Sequence, residues 1–140
     1  MVYDRTVDWA EFYERLSGAL AWIRGEKFEA IVAVANGGIM PAALLHEELG
    51  LPMSIVQINY RDQENKPRFP DARLLQEGPA PFPGKKVLVV DDVSRTGRTL
   101  ARAREFLSAS TVRTFLLNGE ADYSLYRTSE CLRMPWKRQG

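Results

Sequence analysis

The chain has 140 residues, 45% of them hydrophobic and 26% charged, with a formal net charge of +1 at pH 7. This is the composition of a globular protein, and we expect a single domain over residues 1–140. The balanced charge argues against a nucleic-acid or membrane-surface partner. The one cysteine excludes an internal disulfide and favours a cytoplasmic location. No apolar run reaches the length of a membrane span, and the first residues lack the pattern of a signal peptide.

The first predicted element is a helix. Asp8 is a favourable N-cap, and Glu11, three residues later, completes a capping-box pattern. Apolar side chains then recur at helical spacing, at Phe12, Leu16, Leu20 and Ile23. Gly25 is the predicted end of this helix.

A strand, a glycine turn and a helix form the next predicted unit. Residues 29–35 are a short apolar run typical of a buried strand, and residues 36–38 form the turn. A helix is predicted over residues 39–49 and ends at Gly50, and a further strand is predicted over residues 53–59.

The segment over residues 60–86 is polar and rich in proline, which predicts a flexible loop. A loop this long in a small domain is usually functional or mobile. Lys66, Arg68 and Arg73 are candidates to bind an anionic ligand, and the sequence does not choose among them. The alternative interpretation is a plain disordered connection.

The most informative stretch is VLVVDDVSRTGRTL, over residues 87–100. Residues 87–90 predict a strand buried on both faces, two aspartates follow its end, and a helix is predicted over residues 100–108. The loop between them carries hydroxyls, two arginines and Gly97 in front of a helix N-terminus, which suits a phosphate group. The paired carboxylates suit sugar hydroxyls or Mg²⁺.

Strands alternate with helices along the chain. Further strands are predicted over residues 112–117 and 121–127, with an edge piece over residues 131–134. This alternation predicts an α/β fold with a doubly wound, mainly parallel sheet and helices on both faces. Ligands of such sheets bind beyond the carboxyl ends of the strands, where residues 36–38 and 91–99 would both lie.

The stretch from Val87 to Leu100 resembles the phosphoribosyl pyrophosphate motif of the type I phosphoribosyltransferases. The resemblance implies that Asp91 and Asp92 are catalytic groups that bind the ribose hydroxyls, and that Asp92 also holds Mg²⁺. It implies a 5′-phosphate loop made of Val93, Ser94, Arg95, Thr96, Gly97, Arg98 and Thr99. It also implies a pyrophosphate loop, often with a non-proline cis peptide bond in this family, made of Asn36, Gly37 and Gly38.

The whole chain resembles the short bacterial and archaeal xanthine/hypoxanthine/guanine phosphoribosyltransferases. This implies a small C-terminal hood built from about residues 1–8 and 118–140, base binding by Asn118, Cys131 and Leu132, and a homodimer or homotetramer. The expected reaction transfers phosphoribose from phosphoribosyl pyrophosphate to a nucleobase, expected to be a purine, and gives a nucleoside 5′-monophosphate. Three positions depart from the family pattern: Arg95 replaces an acid, Asn118 a lysine and Cys131 an aromatic residue.

Two other functions fit parts of the pattern. The three departures also fit a regulatory protein of weak or absent catalytic activity that binds a nucleotide or phosphoribosyl pyrophosphate. A phosphoacceptor receiver domain also places acids at a strand end, but its acidic pair should come early in the chain, and here it lies past the midpoint.

Overall fold

A computed structural model describes residues 2–59 and 71–138. Its elements in chain order are β1 (Arg5–Thr6), α1 (Trp9–Glu26), β2 (Ala30–Ala35), α2 (Ile39–Leu49), β3 (Met53–Asn59), β4 (Arg73–Leu74), β5 (Lys86–Ser94), α3 (Arg98–Phe106), β6 (Thr111–Gly119), β7 (Tyr123–Tyr126) and β8 (Leu132–Arg133). No helix in these two ranges is long and apolar enough to cross a membrane.

Six of the strands form one sheet in the order β4-β3-β2-β5-β6-β7. All neighbours in this sheet are parallel except β3 and β4, which are antiparallel. Strands β1 and β8 form a separate parallel pair, with Arg5 opposite Leu132 and Thr6 opposite Arg133. The first and last parts of the chain therefore meet beside the main sheet.

Helices cover both faces of the main sheet, because the alternating residues of its strands are apolar on both sides. On one face α1 and α2 pack against residues such as Ile31, Leu88 and Phe115. On the other face α3 packs against residues such as Val32 and Val89. Each fully buried side chain of this size contributes about 1.5–3 kcal/mol. The predicted doubly wound α/β fold is confirmed.

The N-terminal end of α1 is confirmed and its C-terminal end is corrected. The Asp8 carboxylate accepts a hydrogen bond of 2.8 Å from the Glu11 N–H group, so Asp8 is the N-cap. The helix continues past Gly25 to Glu26 and ends at Lys27, which has a positive φ of 60°. The chain turns here because Phe28 is buried and packs against Trp22 in the core.

The bounds predicted for α2 and β3 match the structure, and Gly50 ends α2 with a φ of 65°. The other strands differ at their ends, and the largest correction concerns β5. The apolar run stops at Val90, but the strand continues to Ser94, because its backbone pairs with β6 as far as Ser94 opposite Gly119. Helix α3 accordingly begins and ends two residues earlier than predicted, at Arg98 and Phe106.

The predicted long loop contains a short strand. Arg73 and Leu74 of β4 pair with the end of β3, opposite Asn59 and Ile58. Lys66 and Arg68, two of the three cations considered for ligand binding, lie outside the described residues.

Candidate active site

The loop between β2 and α2 lies at the carboxyl end of a central strand. The peptide bond between Ala35 and Asn36 is cis, as the family resemblance implied. The Gly38 N–H group donates to the Val34 carbonyl at 2.8 Å, and the Ile39 N–H group donates to the Asn36 carbonyl at 3.2 Å. These bonds fold the loop back over the end of its own strand.

Two glycines let this loop contact strand β5. A methyl group added to Gly37 would overlap the carboxylate of Asp92. A methyl group added to Gly38 would overlap the carbonyl oxygens of Val90 and Val34. A residue without a side chain is therefore required at Gly38, which faces backbone atoms, whereas a methyl group at Gly37 would displace the Asp92 side chain. The predicted pyrophosphate loop and the predicted ribose-binding aspartates meet at one point.

The two aspartates lie within strand β5 and point in opposite directions. Successive side chains of a strand face opposite sides of the sheet, so Asp91 follows Val89 toward α3 and Asp92 follows Val90 toward α2. Asp91 is 6% exposed, and its carboxylate accepts the Asp92 N–H group at 2.8 Å. Asp92 is half-buried beside Gly37, and its carboxylate accepts the Val93 N–H group at 2.7 Å. Asp92 is the more accessible of the two acids.

Burial raises the pKa of the Asp91 carboxyl well above its ordinary value, and the negative charge of Asp92 raises it further. The hydrogen bond from the Asp92 backbone acts in the opposite direction. A cation bound beside this pair would relieve the repulsion, and carboxylate oxygens are the donors that Mg²⁺ prefers. No cluster of three or more metal-ligating side chains occurs over residues 2–59 and 71–138, so a metal ion here would need ligands from water or a bound substrate.

The loop after β5 is folded by hydrogen bonds to its own hydroxyl groups ahead of α3. The Gly97 N–H group donates to the Ser94 hydroxyl at 3.0 Å, and the Arg98 N–H group donates to the Thr96 hydroxyl at 3.4 Å. Gly97 has a φ of 77° and caps α3 without a side-chain bond. Arg95, Thr96 and Arg98 are exposed. A helix N-terminus with adjacent cations and hydroxyls can bind a phosphate group.

The predicted base-binding residues come together at the other end of the chain. Asn118 is 2% exposed, and its side-chain amide donates to the Glu130 carbonyl at 3.2 Å and accepts the Thr128 N–H group at 3.0 Å. Asp4 bonds the Cys131 backbone twice, at 2.7 Å and 2.8 Å. We call residues 127–133, which include Cys131 and Leu132, the C-terminal segment. The structure thus shows Asn118 bound to this segment.

Val93 forms exposed apolar surface that was not predicted from the sequence. Its side chain is 41% exposed beside the aspartates, and its backbone pairs with Asn118. A valine that follows two aspartates in the same strand is the sequence signal for such a surface, but it can be recognised only once the strand is known to extend beyond Val90.

A polar cluster that joins β1, α1 and β7 was not predicted from the sequence either. The Glu11 carboxylate accepts hydrogen bonds from Arg5, at 2.9 Å and 3.1 Å, and from the Tyr126 hydroxyl. The Arg15 guanidinium lies 4.2 Å from the centroid of the Tyr126 ring and donates to the Leu125 carbonyl. Burial and the bond to Glu11 raise the pKa of Tyr126 to about 12. Through Arg5, Glu11 thus holds strand β1, which pairs with β8 in the C-terminal segment.

Comparison with known proteins agrees with this geometry. The family model described as the phosphoribosyl transferase domain matches residues 3–115. The transcriptional regulator GfcR of Archaeoglobus fulgidus is 36% identical over 86 residues, which are 61% of this chain and 43% of that protein. The chain therefore spans less than half the length of this curated relative.

Solved structures share the fold over nearly the whole chain. The purine phosphoribosyltransferase of Pyrococcus horikoshii has a TM-score of 0.78 at 25% identity, with 98% of this chain and 96% of that chain covered. A hypothetical protein of Neisseria gonorrhoeae with bound ppGpp has a TM-score of 0.76 at 22% identity, with 99% and 92% covered. The xanthine-guanine-hypoxanthine phosphoribosyltransferase of Helicobacter pylori has a TM-score of 0.67 at 18% identity, with 96% and 93% covered. The matched family model and these structures show that the chain belongs to the type I phosphoribosyltransferase family.

Proposed function

We propose that this protein is an enzyme that transfers the 5-phosphoribosyl group from phosphoribosyl pyrophosphate to a nitrogenous base, with a purine as the base. The products are a nucleoside 5′-monophosphate and pyrophosphate. The observation that carries the proposal is the contact between Gly37 and the Asp92 carboxylate, with the donor-rich loop of residues 94–99 directly after it. A glycine loop, a carboxylate and a donor-rich turn lie together at the carboxyl ends of two central strands. They match the pyrophosphate, the ribose and the 5′-phosphate of this substrate in turn.

Each part of the substrate receives a set of residues in this proposal. The ribose hydroxyls bind Asp92, and the buried Asp91 carboxylate supports Asp92 by accepting the hydrogen bond of its backbone N–H group. The pyrophosphate binds the backbone of the loop formed by Asn36, Gly37 and Gly38. The 5′-phosphate binds the first N–H groups of α3 and the hydroxyls and guanidinium groups over residues 94–99.

Mg²⁺ fits this site, because the half-buried Asp92 carboxylate beside Gly37 offers hard oxygen donors. Asp92 would hold the ion, together with oxygens of water and substrate. When bound, the ion would neutralise charge that develops on the departing pyrophosphate. The protein itself fixes the ribose against Asp92 and holds the phosphates on backbone N–H groups, so that bond cleavage at C1 occurs in a fixed geometry.

The base site in this proposal lies between Val93 and the C-terminal segment. Parallel pairing directs the Cys131 and Arg133 backbones toward β1, so the backbone groups of Leu132 point away from β1. Those groups can bind the edge of a base, and the exposed Val93 side chain can pack on its face. The guanidinium group of Arg95 offers only hydrogen-bond donors, so Arg95 is not a general base in this proposal and catalysis depends on charge stabilisation. Similarity to a purine phosphoribosyltransferase over nearly the full length supports a purine.

The test is release of pyrophosphate. Purified protein is incubated with Mg²⁺, phosphoribosyl pyrophosphate and, one at a time, hypoxanthine, guanine, xanthine, adenine, orotate and uracil. We expect pyrophosphate and the matching nucleoside monophosphate with at least one purine and with no pyrimidine. Turnover with a pyrimidine alone would refute the purine assignment, and binding of phosphoribosyl pyrophosphate without turnover on any base would refute the enzymatic assignment.

A regulatory function is the second candidate. It is favoured by the similarity to the regulator GfcR and to a structure that contains ppGpp, and by the changed residues Arg95, Asn118 and Cys131. A regulator would show thermal stabilisation by nucleotide or phosphoribosyl pyrophosphate without release of pyrophosphate. A cytoplasmic location and a homodimeric or homotetrameric state are parts of the proposal in either case.

A further inference from the structure

Asn118 is a buried amide with both of its polar atoms engaged. It is 2% exposed and ends the long buried run of β6. Its amide nitrogen donates to the Glu130 carbonyl, and its amide oxygen accepts the Thr128 N–H group. A buried polar side chain with two backbone partners is costly to replace, because each partner would lose its hydrogen bond inside the protein.

The backbone of Asn118 is held on both sides by neighbouring strands of the sheet. Its backbone pairs with Val93 of β5 on one side and with Tyr126 of β7 on the other. The next residue, Gly119, packs so tightly against Ser94 that an added methyl group would overlap the Ser94 carbonyl oxygen. The side chain that holds the C-terminal segment is therefore anchored directly beside the start of the phosphate loop.

The turn that Asn118 holds covers residues 128–130, and its other side-chain hydrogen bonds join Thr128 and Glu130 within the turn. The Glu130 N–H group donates to the Thr128 hydroxyl at 3.2 Å, and that hydroxyl contacts the Glu130 carboxylate at 3.4 Å. Immediately after this turn, Asp4 bonds the Cys131 backbone. Asn118 thus holds Thr128 and Glu130 from the sheet, and Asp4, which lies just before β1, holds the next residue, Cys131.

Few side chains can make both bonds to this turn. The Thr128 N–H group needs an acceptor, and the Glu130 carbonyl needs a donor. An asparagine amide offers both in one plane, whereas a lysine offers only donors and an aspartate only acceptors. The residue type therefore matches a role in shaping the turn.

We propose that Asn118 is a positioning residue that holds the turn over residues 128–130, and through it Cys131 and Leu132, against the base without touching the base itself. This inference rests on the proposed function. It differs from the sequence prediction, in which Asn118 binds the base directly. Removing its amide should weaken binding of ligands that contain a base and leave binding of phosphoribosyl pyrophosphate unchanged.

The experiment compares Asn118→Ser and Asn118→Asp with the wild type and with the control Ser124→Ala. The control removes a hydrogen bond of 2.7 Å to Gly119, the neighbour of Asn118, without touching the C-terminal segment. Calorimetry measures binding of guanosine 5′-monophosphate, inosine 5′-monophosphate and Mg²⁺-phosphoribosyl pyrophosphate. We expect Asn118→Ser to weaken nucleotide binding about tenfold and phosphoribosyl pyrophosphate binding less than about twofold. The control should change neither.

Asn118→Asp separates the two bonds, since it keeps the acceptor for Thr128 and loses the donor for Glu130. If Asn118→Asp does not fold, the binding data for Asn118→Ser alone test the positioning role. The positioning role would be overturned if a folded variant bound the nucleotides and phosphoribosyl pyrophosphate with equally reduced affinity, or bound all of them with unchanged affinity.

Hydrogen exchange tests the same role without any ligand. The Thr128 amide should exchange about tenfold faster in Asn118→Ser than in the wild type, while the amides of β2 and β5 keep their rates. Unchanged exchange at Thr128 would overturn the inference. If wild-type protein binds none of the three ligands, the proposed function fails, and hydrogen exchange still decides whether Asn118 holds the turn.

Discussion

The two halves of the candidate site are assembled across very different distances in the sequence. We call residues 36–38 and 91–99 the phosphate half, and residues 4–6, Asn118 and the C-terminal segment the base half. Each part of the phosphate half is a continuous strand–turn–helix unit, and the two units meet on adjacent central strands. The base half joins Asp4 to Cys131, which are 127 positions apart. Local chain geometry builds one half, and tertiary contacts build the other.

This difference has an energetic consequence. The phosphate half is held by the buried centre of the main sheet, with Val90 and Val34 fully enclosed. The base half is held by a two-stranded ribbon, by the hydrogen bonds of the buried Asn118, and by polar contacts of part-buried or exposed side chains. Such contacts each contribute about 1 kcal/mol, which is little compared with the burial of the sheet core. Substitutions in one half should therefore leave ligand binding by the other half largely unchanged.

The largest expected effect is that of Gly37→Ala. The added methyl group must displace the Asp92 carboxylate, which is a side chain and can move, so the fold should survive. In the proposed site this carboxylate binds both the ribose and the metal ion, so its displacement removes more than one charge-assisted contact, and we expect affinity for Mg²⁺-phosphoribosyl pyrophosphate to fall roughly a hundredfold. Calorimetry measures the affinity, and a thermal scan checks that the protein folds.

The matched control is Gly25→Ala, since Gly25 lies in α1 and an added methyl group there meets nothing within 4 Å. This control should bind as the wild type does and be more stable by about 0.5–1 kcal/mol. If Gly37→Ala binds phosphoribosyl pyrophosphate normally, the phosphate half does not lie at this contact.

A smaller loss is expected from Asp92→Asn. The substitution keeps the size of the side chain and its ability to accept the Val93 N–H bond, but it removes the charge. We expect affinity for phosphoribosyl pyrophosphate in the presence of Mg²⁺ to fall about tenfold, roughly one charge-assisted contact. Without Mg²⁺, the affinities of Asp92→Asn and of the wild type for phosphoribosyl pyrophosphate should differ by less than this factor. An affinity unaffected by Asp92→Asn at saturating Mg²⁺ would place the metal and the ribose elsewhere.

The same division explains what sequence reasoning could predict. The bounds of α2 and β3 follow from local signals such as Gly50, and the fold class follows from the alternation of strands and helices. Strand β5 shows the limit of local signals. An aspartate pair is unfavourable in a strand, so the apolar run predicts an end at Val90, but pairing with β6 extends the strand to Ser94. That extension is what sends Asp91 and Asp92 to opposite faces.

The base half could be predicted only as a region. Family resemblance indicated Asn118, Cys131 and Leu132, and the structure brings them together. The partners that hold them could not be identified, because the bonds of Asp4 to Cys131 and of Tyr126 to Glu11 join residues 127 and 115 positions apart. No local pattern in a single sequence encodes such a pairing. The capping-box prediction is correct for Asp8, which accepts the Glu11 N–H group. It is wrong for the Glu11 side chain, whose carboxylate accepts hydrogen bonds from Arg5 and from the distant Tyr126.

A gain of affinity tests the base half directly. Cys131 is partly exposed and held by Asp4, and its side chain offers little surface for stacking. If a base lies against this position, Cys131→Phe should strengthen guanosine 5′-monophosphate binding roughly three- to tenfold through ring stacking. Phosphoribosyl pyrophosphate, which has no base, should bind as before. Ser129→Phe, two residues away on the exposed side of the turn, is the control. An equal gain in both variants would mean nonspecific stacking and would move the base site away from Cys131.

The smallest expected effect is on stability and comes from Tyr126→Phe. The phenylalanine loses the hydrogen bond to Glu11, and we expect the free energy of unfolding to fall by about 1 kcal/mol near neutral pH. The phosphate half should keep its affinity for phosphoribosyl pyrophosphate, because β7 lies at the edge of the sheet, two strands from β5. Urea titration measures the stability, with Tyr13→Phe as the control, since Tyr13 is 43% exposed on α1.

The difference between wild type and Tyr126→Phe should also depend on pH. The pKa of Tyr126 is raised to about 12 in the folded protein, whereas tyrosine in an unfolded chain titrates near about 10. A raised pKa means that the folded state holds the phenol proton more tightly, so the stabilisation is complete below pH of about 10 and is lost as the pH rises through about 12. Urea titrations at pH 9 and pH 11, flanking tyrosine's ordinary pKa of about 10, should therefore show a smaller difference at the higher pH. A difference that stays constant across this range would mean that the Tyr126 hydroxyl does not hold the base half through Glu11.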